Sequence, residues 1–287
     1  LLRFVAGLTS AAGLILGSGL ILNWLLRHGH RAELGLHFSG IGLGILVGGL
    51  IVEASANLGW RDQWAVLAAC GLLLIWPAWR WLPHPRTTET TGAPAGEDQP
   101  PERTWLILLL AAYLCAGFGY VISATFTSVI VANSSGSAAS GVLAWLVVGL
   151  AAAPSPILWD RVAARFGDRR ALLAAFLLQA AGILLPVLDS GLAAALISAA
   201  LFGGTFVGIV SLVLTIVGRL YPRHPAKPMG RLTLAYGVAQ IVGPVLAGSM
   251  AEVSGSFHGS LLLAAGVIGL GAVLVALLPT PGAGRTA

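Results

Sequence analysis

An all-α, polytopic membrane protein is the fold class this sequence predicts, and three observations predict it. The chain is 57% hydrophobic and only 9% charged, with a mean hydropathy of +0.88; a soluble domain carries roughly 25% charged residues to cover its water-facing surface. Nine apolar segments are long enough to cross the ~30 Å of hydrocarbon that about 20 helical residues span. The basic residues between those segments fall in alternate loops, which is a topology signal.

The nine segments run near 4–26, 34–54, 62–82, 104–131, 139–158, 171–188, 191–217, 232–252 and 258–278. Each reads as a helix. Backbone polar groups in lipid must be satisfied within the protein, and these runs are too long and too evenly apolar for barrel strands. After the first, third, fifth and seventh segments stand Arg27 and Arg31; Arg80, Arg86 and Arg103; Arg161, Arg165, Arg169 and Arg170; and Arg219, Arg223, Lys227 and Arg231. Arg285 follows the ninth, Arg61 is alone on the other side, and Arg3 opens the first helix. The arginine-rich side is therefore expected to be cytoplasmic, with the C-terminus on it. The net charge of +5 is spread over these loops rather than over one basic face, which excludes nucleic acid as a partner. Membrane lipid is the expected surroundings.

Cys70 and Cys115 lie inside apolar runs and read as small packing residues. No metal-ligand spacing, P-loop, nucleophile elbow or HExxH is present, so no cofactor, metal or catalytic residue is expected and an enzyme ranks last. The first apolar run is not a signal peptide, because its basic flank follows it. With Leu1 rather than Met at the start, the N-terminus reads as cut.

Residues 84–103, rich in Pro, Thr and charge, read as a flexible cytoplasmic linker between three helices (1–83) and six (104–287). A shift of 199 residues lays the second segment on the eighth. Gly44 then meets Gly243, Gly49 meets Gly248, Glu53 meets Glu252 and Ser55 meets Ser254. A repeat of six helices gives two parallel halves related by an axis along the membrane normal. The second half is complete and the first shows three helices, so twelve are expected in the intact protein. Glu53 and Glu252 fall near the outer face and read as solvated.

Twelve helices in two parallel halves resemble the major facilitator superfamily. Arg3, Gly7 and Ala11 match the spacing of that family's fourth helix, and Asp160-Arg161 with Gly167, Arg169 and Arg170 resembles its charged cytoplasmic loop. Here extra residues separate the Asp-Arg pair from the glycine, and Pro156 stands where the family has Gly. Gly117 to Phe126 and Ala235 to Pro244 resemble the bacterial YbfB/YjiJ-like branch. The resemblance covers the chain as helices four to twelve. It implies a carrier of a small-molecule substrate in a bacterial inner membrane, coupled to protons and working by alternating access, with export one possible direction. A scaffold or receptor on the same fold is the competing reading.

Polar side chains in hydrocarbon tend to face a cavity. Tyr113, Tyr120 and Thr127 form one stripe at seven-residue spacing, and Thr233, Tyr236 and Gln240 form another. The resemblance places the first stripe on a cavity-lining helix, which makes Tyr113, Tyr120, Thr127, Tyr236 and Gln240 candidates to contact substrate. Arg3 is a candidate coupling residue, or an arginine that snorkels to the interface. His37, one turn inside its helix, titrates near neutral pH and is either a second coupling candidate or an interface residue. Asp160, Arg161, Gly167, Arg169 and Arg170 form the candidate gating loop, with Asp160 pairing a basic partner across the halves; the arginines alone would equally be topological anchors. Small-residue spacings such as Gly13–Gly17, Gly40–Gly44–Gly48, Gly204–Gly208 and Ala239–Gly243–Ala247 allow close helix approach, whether static or sliding. Pro154, Pro156 and Pro244 interrupt helix hydrogen bonding and can kink or hinge, and Pro156 can also mark a helix end. These nine helices alone are expected not to transport; robust solute flux in vesicles holding only residues 1–287 would overturn that expectation.

Overall fold

The computed structural model describes residues 1–82, 97–136 and 139–279. Among them ten helices run as α1 (Leu2–Arg27), α2 (Gly35–Ala54), α3 (Trp60–Trp81), α4 (Arg103–Ser135), α5 (Ala139–Ala152), α6 (Ser155–Phe166), α7 (Asp168–Leu188), α8 (Leu192–Leu220), α9 (Ala226–Ser254) and α10 (His258–Ala276). They make nine candidate membrane spans, because α5 and α6 together form one. Each of the nine expected segments is one of these spans.

The fifth span is broken. The expected helix over 139–158 stops at Ala152 and restarts at Ser155. Pro154 and Pro156 remove two donors within three residues, and the ladder lapses there. The helix then continues to Phe166, and α7 begins at Asp168. The expected charged loop over 160–170 is therefore mostly helix. Only Gly167 stands between α6 and α7, at φ +89°, a backbone conformation that favours glycine. Pro244, by contrast, lies inside an unbroken α9.

Alternation of direction places the ends Arg27, Gly35, Arg103, Phe166, Asp168, Leu220 and Ala226 on one side, the arginine-rich side. Most of the expected linker lies outside the described residues. Its last part is anchored on that side: the Gln99 N–H donates to the Leu220 carbonyl at 2.8 Å, and the Arg223 N–H donates to Asp98 at 3.0 Å.

α8 is the centre of the bundle. Its most apolar stretch is 83% buried, against none for α3. α7 and α5 pack on α8, α4 packs on α9 and α10, and α2 packs on α5. α3 lies chiefly against α2 and buries no residue. It carries five of the nine tryptophans, with Trp60 and Trp64 at one end and Trp76, Trp79 and Trp81 at the other. At 1.5 Å per residue the outer pair, Trp60 and Trp81, stand about 32 Å apart. That spacing suits indoles at the two interfaces of a bilayer.

Helix contact in lipid depends on small residues that let backbones meet. A Cβ on Gly149 would sit 2.6 Å from the Leu46 amide nitrogen, and one on Gly117 would sit 2.6 Å from the Tyr236 carbonyl oxygen. One on Gly42 would overlap the backbone of Ala152 and Ala153. The expected stripes are divided. Gly208 packs against Trp159 and Gly243 against Val121, whereas Gly13, Gly40, Gly44 and Gly48 face open space. Gly42→Val is thus expected to destabilise by about 1–3 kcal/mol, and Gly44→Val on the same helix to leave stability unchanged. Thermal unfolding in detergent, followed by tryptophan fluorescence, checks the contrast.

Candidate functional site

A cavity of about 1160 Å³ lies between α1 and α2 on one side and α4, α8 and α9 on the other. In the repeat these are helices of different halves. Several residues needed for it are small: Gly7 and Gly13 of α1, Gly40 of α2 and Gly237 of α9 line it and meet nothing within 4 Å. Bulk at those positions would fill the space.

Four of the five expected substrate residues line this cavity: Tyr113, Tyr120, Tyr236 and Gln240. Tyr113 and Tyr236 pack ring to ring at 4.7 Å, and Tyr120 and Tyr236 at 5.7 Å. The fifth does not reach it. Thr127 lines a separate pocket of about 10 Å³, the size of one water molecule, with Ser123 and Ser198. Its hydroxyl donates to the Ser123 carbonyl at 2.6 Å. Fourteen residues of helix rise about 21 Å from Tyr113, so a stripe can stay on one face and still leave the cavity.

His37 lines the cavity, as the third residue of α2, beside Phe38 and Gly17. Arg3 does not. Its guanidinium lies over the Trp64 indole, 5.6 Å from the ring centroid. Cation–π contact of this kind anchors a cation near an interface. Phe202 and Phe206 of α8 were not legible as site residues. Phe206 lines the cavity and stacks on both Tyr120, at 5.1 Å, and Phe202, at 4.8 Å.

At the arginine-rich end the two sides of the cavity meet. Leu22 of α1 packs against Gly218 and Met229, and Gly19 faces Ala226. Leu22, Leu34 and Met229 are fully buried. Polar contacts then tie the start of α2 to α6 and α8. The first helical amide, Gly35 N–H, donates to Asp160 Oδ2 at 2.7 Å. The Leu34 N–H donates to the Thr215 hydroxyl at 3.3 Å. Arg219 donates from Nε to the Ala32 carbonyl at 2.8 Å and from Nη1 to Asp168 at 3.1 Å.

Asp160 therefore does cross between the halves, but not to a basic side chain. It accepts from a helix N-terminus, where unpaired amides and the helix dipole favour a carboxylate. No residue type signals it, because the partner is main chain. Gly35 makes the approach possible: a Cβ there would overlap Asp160 and sit 2.9 Å from the Pro156 carbonyl oxygen. Of the other expected gating residues, Gly167 is the α6–α7 corner, Arg169 donates to the Ala276 carbonyl, and Arg161 and Arg170 stay exposed. The cation in the inter-half network is Arg219, which its position among many basic residues had concealed.

A family model described as the uncharacterised MFS-type transporter YbfB matches residues 1–276. The chain belongs to this family of MFS-type transporters. A solved MFS structure shares its fold. The human organic anion transporter MFSD10 (TETRAN) matches at 21% identity and a TM-score of 0.55, over 76% of this chain and 48% of its own. The E. coli fucose:proton symporter FucP matches at 13% identity and a TM-score of 0.49, over 79% of this chain and 56% of its own. The chain thus spans about half the length of these transporters. No curated protein matches it.

Within this MFS-type fold the Asp160–Gly35 contact is the testable element of the closed end. Asp160→Ala and Gly35→Ala are each expected to loosen it by about 1 kcal/mol, the usual worth of a helix cap, and so to raise access about fivefold. The measurement is the labelling rate of His37→Cys by an impermeant thiol reagent added from the arginine-rich side, in protein lacking Cys70 and Cys115. Unchanged labelling in both variants would remove Asp160 from the gate.

Proposed function

We propose that this protein is a secondary active carrier that moves a small solute across the bacterial inner membrane by alternating access, with the arginine-rich side in the cytoplasm. The observation that carries the proposal is the cavity between helices of different halves, closed at one end by contacts that join those halves. Such a site is exposed to one side of the membrane at a time when the halves rock against each other. Contacts between α1 and the second half lie toward the arginine-rich ends, at Gly19–Ala226 and Leu22–Gly218, which supports an outward-facing state. Leaving that state requires release of α2 from Asp160, Thr215 and Arg219.

Protons are the proposed coupling ion. Among the described residues lining the cavity, His37 is the one side chain whose ordinary pKa lies near neutrality. It sits next to the tied start of α2, so its charge state can bias the same helix that must move.

The test is flux in sealed proteoliposomes containing the full-length protein, with a pH-sensitive dye inside, a solute panel outside and an imposed proton gradient. Substrate-dependent proton movement is expected, with at least about a tenfold loss in Tyr120→Ala. His37→Ala is expected to keep solute binding and lose the linked proton movement. Solute flux without proton movement would overturn the coupling. Folded protein that moves no solute would favour a scaffold or receptor.

A further inference from the structure

We propose that the cavity selects an uncharged, planar aromatic solute bearing hydrogen-bonding oxygens, and that a ladder of rings across α4, α9 and α8, four of them lining the cavity and Phe202 behind them, reads it. The proposal rests on the cavity being the solute site of a carrier.

The ladder runs Tyr113, Tyr236, Tyr120, Phe206, Phe202. Successive centroids are 4.7, 5.7, 5.1 and 4.8 Å apart, with planes 34°, 34°, 30° and 18° from parallel. Rings this close to parallel cover one another's faces. Tyr113 is 1% exposed and Tyr236 8%, so little beyond edge and hydroxyl reaches the cavity. Aromatic edges are positive and faces negative. A cation needs open faces turned toward it, and this ladder offers the wrong pole. The negative face of an aromatic solute fits against those edges.

The polar groups point the same way. Among the described residues no hydrogen bond reaches the hydroxyls of Tyr113, Tyr120 or Tyr236, or the side-chain amide of Gln240. Opening onto the cavity, these four donor–acceptor groups can exchange hydration for hydrogen bonds to a solute that carries oxygens or hydroxyls.

The described lining residues include no Asp, Glu, Lys or Arg. A charged solute would leave its hydration without a fixed counter-charge, which is costly in a low-dielectric site. His37 alone can acquire charge there.

The experiment compares solutes of one shape. Binding to the full-length protein in detergent is measured by thermal shift and calorimetry for a naphthol, the corresponding naphthoate, an N-methylquinolinium ion and a saturated decalin alcohol. The naphthol is expected to bind about tenfold or more tighter than the other three. Tyr236→Phe is expected to weaken the naphthol about fivefold, the scale of one lost hydrogen bond, while leaving plain naphthalene unchanged. A merely structural tyrosine would not separate those two ligands. Preference for the cation or the anion, or equal binding of the saturated alcohol, would overturn the proposed class while leaving the carrier reading intact, because flux of the preferred solute can then be followed. No saturable binding of any of the four, with flux of a solute from another class, also overturns the class alone. Neither binding nor flux of any solute would overturn both.

Discussion

Helices inside a bilayer cannot be held together by expelling water, since lipid tails are as apolar as leucine. What remains is close contact of atoms, and here that contact is concentrated where glycine lets one backbone touch another. Gly42 meets the backbone at Ala152–Ala153, Gly149 meets Leu46, Gly117 meets Tyr236 and Gly203 meets Val148. These approaches fix α2 on α5, α5 on α8 and α4 on α9. They set the walls between which the cavity lies. Where glycine faces nothing, as at Gly7, Gly13, Gly40 and Gly237, it is the cavity itself that is being kept open.

The second organising feature is polar and lies at one end. Helix starts in a membrane protein carry amides with no intrahelical partner. The start of α2 gives two of its N–H groups, those of Leu34 and Gly35, to side chains from helices of the other half. That makes closure of the arginine-rich end a matter of capping rather than of side-chain ion pairing. The distinction is energetic. A surface ion pair is worth little, whereas a carboxylate buried to 6% exposure that loses its one hydrogen-bonded partner must find another or be hydrated. The tie at Asp160 therefore opens only together with entry of water or a competing donor.

Much of this was legible from residue order, because lipid leaves a chain few options. Spans are long apolar runs, and charge can sit only between them. The repeat of Glu-x-Ser at Glu53 and Glu252 pointed to six-helix halves, and both glutamates are exposed where they were expected. Helix periodicity brought Tyr113, Tyr120, Tyr236 and Gln240 to one space. Periodicity describes an angle around a helix and not a depth along it, so Thr127 was grouped with residues about 21 Å away. Phe202 and Phe206 look like any other apolar residues of α8; only the packing of three helices makes them part of the ladder. Arg3 has a family-like spacing, yet its guanidinium rests on Trp64. Main-chain partners such as Gly35 leave no residue-type signal at all.

The interruption between α5 and α6 has a mechanical consequence. Pro154 and Pro156 remove two donors that a continuous helix would aim at the carbonyls of Leu150 and Ala152. Bending an intact helix breaks bonds of its ladder, but at this point there are none to break. α5 is seated on α2 and α8, while α6 carries the carboxylate that holds the start of α2. One span is therefore two helical segments joined where the ladder lapses. The carboxylate that holds the start of α2 and the glycine seam that seats α2 on α5 thus belong to separate segments of one span.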